Sequence, residues 1–153
     1  MRAATPVILS FIVMATPAHA EEWWMVGVVG EPAKRIVFFA DAEVLTVDGY
    51  RHLWTEQVRE QKGEQGESVV SELLFLDCDR RRFATVERFM FDSAGKGLPR
   101  TNVIPEWTYV PPSTMVASLM KFGCNAERPS SGNIGTQDRK AVASARVFSV
   151  SKP

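Results

Sequence analysis

The sequence predicts an α+β domain: an antiparallel β-sheet of about six strands, with a C-terminal helix packed on it and tethered to it by one disulfide. Three observations carry this expectation. Runs of β-branched and aromatic residues recur between turn formers over residues 23–110. Asp48-Gly49 sits between two such runs, which is the strongest short-range hairpin signal. A helix-period stripe follows Pro111-Pro112 and ends at the second of only two cysteines.

The chain has 153 residues and opens on a three-part leader. Arg2 supplies positive charge, residues 7–14 form a short apolar run, and Ala18-His19-Ala20 is a small-x-small cleavage site followed by Glu21-Glu22. That order marks a signal peptide over residues 1–20, cut after Ala20. The run is too short to span a bilayer, which takes about 20 apolar residues. No later segment is long enough to cross a membrane, and no cysteine near the cleavage site offers a lipid anchor.

The strands follow in order. Residues 23–29 are apolar and rich in aromatic and β-branched side chains, and Gly30-Glu31-Pro32 breaks them. Residues 36–40 read as a second, buried strand. Residues 43–47 and 50–55 flank the Asp48-Gly49 turn, and His52 lies in this hairpin as a cross-strand or surface residue. Residues 60–68 form a polar loop whose Gly63 and Gly66 lack the Gly-Lys-Ser/Thr of a phosphate loop. Residues 69–78 are a long strand, with Val70, Glu72, Leu74, Leu76 and Cys78 on one face and Ser71, Leu73, Phe75 and Asp77 on the other. Residues 82–91 are the next, with Phe83, Thr85, Glu87, Phe89 and Phe91 on one face. A turn over 92–97 and a short strand over 107–110 complete the sheet.

Ser113 then stands as a helix N-cap. Val116, Leu119 and Met120 form the apolar stripe, and Gly123 suits the position just past the helix end. From Asn125 the composition turns loop-like, so residues 125–153 are expected as a flexible tail, with an extra edge strand over 141–150 as the alternative.

Cys78 and Cys124 are the whole cysteine inventory. In an exported chain an even count favours a disulfide over two free thiols. A bridge would pin the end of the helix to the sheet and stabilise the fold by about 4 kcal/mol on the chain-entropy model.

Composition excludes several functions. The chain carries 18 basic and 18 acidic side chains. Loss of Arg2 leaves the mature domain one unit negative, the wrong footprint for nucleic acid. Loss of His19 leaves His52 as its single histidine. A zinc site or a Ser-His-Asp triad therefore has little to be built from, so no metal, no cofactor and no catalytic residue are expected. Asp77 and Asp79 share a strand face but have no nucleophile beside them. Arg80-Arg81-Arg82 is the one dense charge cluster and the candidate ligand-binding site, suited to an acidic ligand such as a sulfated glycan. Its alternative reading is a solvated turn neutralised by Asp77 and Asp79. Trp23-Trp24 reads as one core ring and one partly covered ring rather than an exposed patch.

The pieces in order resemble a known family. Phe39-Ala40-Asp41-Ala42 precedes the hairpin, and Trp54 follows it. Then come the run from Glu72 through Asp77-Cys78-Asp79 and Arg80-Arg81-Arg82 to Phe83, and Asp92-Ser93-Ala94-Gly95-Lys96. Trp107-Thr108-Tyr109-Val110-Pro111-Pro112-Ser113 and a helix closing on Cys124 complete the set. This arrangement resembles the surface-adhesin protein E family of Gram-negative bacteria over residues 23–124. The resemblance implies a sheet with a helix held on it by Cys78–Cys124, and a non-enzymatic surface protein that adheres to host extracellular-matrix components. Adhesins of this kind are expected to be anchored at the outer membrane, which this chain's leader does not provide for. The expected destination is thus the periplasm or the exterior, up to the cell surface. The expected partner is a host matrix protein or another cell-envelope protein, with homodimerisation through an open strand edge as a further option. The alternative function is a periplasmic structural or assembly protein without a host ligand.

Overall fold

The computed structural model describes residues 21–151. The expected signal peptide and its Ala20 cleavage site lie outside the described residues. The elements are β1 (Trp23–Val29), β2 (Ile36–Asp41), β3 (Leu45–Val47), β4 (Tyr50–Arg59), β5 (Val69–Asp77), β6 (Arg82–Phe91), β7 (Thr108–Tyr109), α1 (Met115–Asn125), β8 (Asn133–Gly135), α2 (Arg139–Arg146) and a closing 3-10 turn (Phe148–Ser151). They build one antiparallel sheet in the order β7-β6-β5-β4-β2-β1-β8, with β3 also paired to β4. The α+β architecture is therefore as the sequence predicts, with eight strands against about six.

The long strands β4 and β5 form because their alternation matches the two faces of this sheet. On β5 the even-numbered residues from Val70 to Leu76 are buried, while Ser71, Leu73 and Phe75 are only partly covered. The Asp48-Gly49 turn has φ of 50° and 82°, the double left-handed geometry of the tightest hairpin. It sets Leu45 opposite His52. The tryptophan pair divides as expected: Trp23 is buried on one face, while Trp24 is half-buried against Phe122 on the other.

Alternation is interrupted in β1, where Val26 is an extra residue between Met25 and Gly27, and again in β6. Leu73 pairs with Glu87 but Leu74 pairs with Thr85, so Val86 is an extra residue in β6. A bulge shifts the side-chain phase by one. Phe83 and Thr85 stay on the α1 face, whereas Glu87, Phe89 and Phe91 turn to the opposite one. The five residues expected on a single face are thus split.

Helix α1 covers the first face. Leu119, Met120 and Phe122 pack with Ala40, Leu53, Leu74, Leu76 and Val110. The N-cap is Thr114, whose hydroxyl accepts from the Ala117 N–H at 3.2 Å, not Ser113, which adopts φ of 62°. Gly123 is not the residue past the helix end but lies within its last turn, and Ala126 takes the left-handed cap. Its role is close approach: a Cβ there would stand 2.5 Å from Leu76 Cδ1. The last carbonyls are satisfied by two arginines. Arg51 Nε donates to Gly123 O at 3.2 Å, and Arg128 Nη1 to Phe122 O at 2.7 Å. The Cys78–Cys124 disulfide, spanning a sequence separation of 46, closes the same end with Cα atoms 5.8 Å apart.

Residues expected as a flexible tail instead build the second layer. Ile134, Val142 and Ala143 are buried against Trp23, Val37, Phe39 and Val58. β8 pairs with β1, so the alternative of a strand over 141–150 gives way to helix α2. Asp138 caps α2 by accepting from the Lys140 and Ala141 N–H groups. Arg35 fixes its far end. The guanidinium pairs bidentately with Glu60 at 2.8 and 2.7 Å, and its Nη1 donates to Val147 O at 2.7 Å. No helix among the described residues is long and apolar enough to cross a membrane.

Candidate functional site

The three arginines of the β5–β6 turn do not act as one patch. Asp77 takes two of them. Its carboxylate accepts from Arg82 Nε at 2.9 Å, from the Arg80 N–H at 3.2 Å and from Arg80 Nη1 at 3.4 Å. Desolvation opposes the charge on Asp77, but these donors outweigh it and hold its carboxyl below the ordinary carboxylate range. Arg82 also lies over the Trp107 ring at 4.8 Å. The neutralised-turn reading thus describes Arg80 and Arg82, with Asp77 as the partner of both.

Arg81 is different. It has φ of 50° and pairs with no carboxylate among the described residues. Its carbonyl accepts from the Val110 N–H at 2.9 Å, which ties the end of β7 to the turn. Its side chain lines a cleft of about 340 Å³ between this turn and α1. Lys121 and Asn125 form the opposite wall, and the floor is Val110, Met120 and the disulfide. Sequence reasoning missed Lys121. The signal was available, since Lys121 is three residues before Cys124 and one turn after Ala117, and so shares their helix face.

The cleft therefore offers two cations above an apolar floor. Such a site suits an acidic group carried on a less polar body. The disulfide holds both walls, because Cys78 directly follows β5 and Cys124 lies in the last turn of α1. A larger cleft of about 510 Å³ under the 60–68 loop contrasts with it. There the charges meet each other: Glu72 accepts from Arg88 Nε at 2.7 Å and from Gln57 Nε2 at 2.8 Å. Glu72 interrupts an apolar face in the sequence, which is the signal of a buried pair.

The His52 ring stacks on Phe75 with centroids 3.8 Å apart and is hydrogen-bonded to no carboxylate or hydroxyl among the described residues. No group of three or more His, Cys, Asp or Glu side chains is gathered to hold a metal among the described residues.

The chain matches no protein-family model, no curated protein and no solved structure.

Proposed function

We propose that this chain is an exported, non-enzymatic binding protein that works as the surface adhesins it resembles do, attaching to an extracellular-matrix component through an acidic group. The observation that carries this reading is the basic cleft, where Arg81 has no acidic partner among the described residues and Lys121 lines the same apolar floor. A sulfated glycan chain supplies the matching charge. Both cations are near the surface, so the attraction weakens as salt rises.

The test is binding of the purified protein to immobilised matrix proteins and to sulfated glycans. Saturable binding is expected. It should fall at least about tenfold in an Arg81→Glu/Lys121→Glu double variant, because two attractions become repulsions. Absence of saturable binding above an unrelated exported domain overturns the reading. Protease treatment of intact cells is the companion experiment. Full protection would favour a structural or assembly role in the periplasm, and digestion would favour display.

A further inference from the structure

A second cavity lies on the opposite face of the sheet from the basic cleft, and it has the reverse chemistry. It encloses about 290 Å³, close to the lower end of small-molecule sites. Trp23, Trp54, Phe89 and Phe91 form its walls, with Trp54 and Phe89 rings 6.1 Å apart. Phe89 and Phe91 reach it only because the bulge at Val86 turns them to this face.

Its polar groups are mostly carboxylates. Glu21, Asp41 and Glu56 line it, against Arg139 as the only cationic side chain of the lining among the described residues. Arg139 Nε lies 2.7 Å from Glu56 Oε1, and its guanidinium sits over the Trp23 ring at 4.1 Å. Ser71 Oγ donates to the other Glu56 oxygen at 3.2 Å. Each Glu56 oxygen thus has a partner, one an ion pair and one a hydrogen bond. One Asp41 oxygen has none among the described residues. The residue is 8 % exposed, its Oδ1 accepts from the Glu43 N–H at 3.0 Å, and its Oδ2 takes no hydrogen bond from the described residues. Burial first, and then the charges of Glu21 and Glu43, push the Asp41 carboxyl above its ordinary range, against the pull of the Glu43 N–H and the Arg139 charge.

We infer that this cavity is a binding site for a small organic cation, an alkylammonium or guanidinium group, held between the aromatic rings and the open oxygen of Asp41. Two features point there together. The carboxylates outnumber the cation, and aromatic faces attract cations by their quadrupole. The protein already seats one guanidinium here, its own Arg139, on Trp23 and against Glu56. The site is independent of the basic cleft, so either can fail without the other.

The test is titration of the protein with cadaverine and agmatine, with sodium chloride at matched ionic strength as control. Tryptophan indole N–H resonances report the location. Saturable shifts of the Trp23 and Trp54 signals, with Trp107 unmoved, are expected. Asp41→Asn should weaken binding about tenfold, and Glu21→Gln, at an exposed position, should weaken it about threefold without burdening the fold. Arg139→Gln should tighten it, because it removes the internal competitor. No saturation, or unchanged affinity in both carboxylate variants, overturns the proposal. Weaker binding in Arg139→Gln overturns it too, since the arginine would then be part of the ligand's contacts. Equal shifts with neutral N-acetylglucosamine that survive Asp41→Asn would make the cavity a saccharide site instead.

Discussion

Asp77 and Asp41 are both buried aspartates, yet their surroundings send them in opposite directions. Asp77 is held below its ordinary value of 3.8 because donors from Arg82 and Arg80 outweigh desolvation. A depressed folded value contributes stability that is complete above the ordinary value and is lost as pH falls through the folded one. Asp92, bonded by the Lys96 and Ala94 N–H groups, and Glu60, paired with Arg35, have the same sign. Acid unfolding should therefore set in below about pH 4. Asp77→Asn should lower the urea midpoint at neutral pH, and its gap to the parent should close as the pH drops toward about 3. A constant gap across that range would show that Asp77 acts by shape and not by charge. Asp41 has the other sign. Its raised value makes its charge unfavourable at neutral pH, and the cost is relieved as pH falls through that value. Asp41→Asn should thus fold at least as well as the parent at neutral pH, with an unchanged or higher midpoint.

Helix α1 is an element whose seat is fixed by one missing methyl group. Glycine within a helix costs about 1 kcal/mol relative to alanine, so propensity alone predicts that Gly123→Ala stabilises. Overpacking a filled core costs about 1–3 kcal/mol. Leu76, only 2.5 Å from the new Cβ, is 0 % exposed and has nowhere to swing. The adjacent Cys124 bridge also prevents the helix from backing away. The packing cost should win, giving a net loss of about 1–2 kcal/mol in urea unfolding. A stabilised variant would mean that Leu76 has slack that its burial denies. The helix itself was legible because its stripe and its cap region are local signals, although the cap falls one residue later than expected. The Asp48-Gly49 hairpin and the β5 alternation were legible for the same reason. The Val86 bulge was not, because it is a mismatch between two strands and neither strand records it alone. Its effect reaches the candidate cavity, since it alone turns Phe89 and Phe91 toward Trp54.

At the scale of the whole molecule, the second layer is what local patterns hid. Three residues of β8 are too few to show alternation, and α2 carries only Val142, Ala141, Ala143 and Ala145 among charged and polar neighbours. The Asp138 cap was its one readable signal. Clefts are harder still, because each draws residues from distant segments: Arg81 with Lys121 in one, Asp41, Glu56 and Arg139 in the other. What the second layer does follows from burial. Ile134 is 2 % exposed and Val142 6 %, and burying each such side chain contributes about 1.5–3 kcal/mol. Arg35 holds Val147 O as well, which ties the end of the layer to β2 and β4. Ending the chain after Ser131 should therefore do more than trim a tail. It uncovers Trp23, Val37, Phe39 and Val58, and frees the β1 edge that β8 now pairs. The expected result is a loss of at least half the unfolding free energy, dye binding to the bared face, and faster hydrogen exchange in β1 and β2 than in β5. The first layer should persist longer, because Cys78–Cys124 still clamps α1 to the sheet. An unchanged urea midpoint in the shortened chain would mean that the second layer rests on the sheet without supporting it.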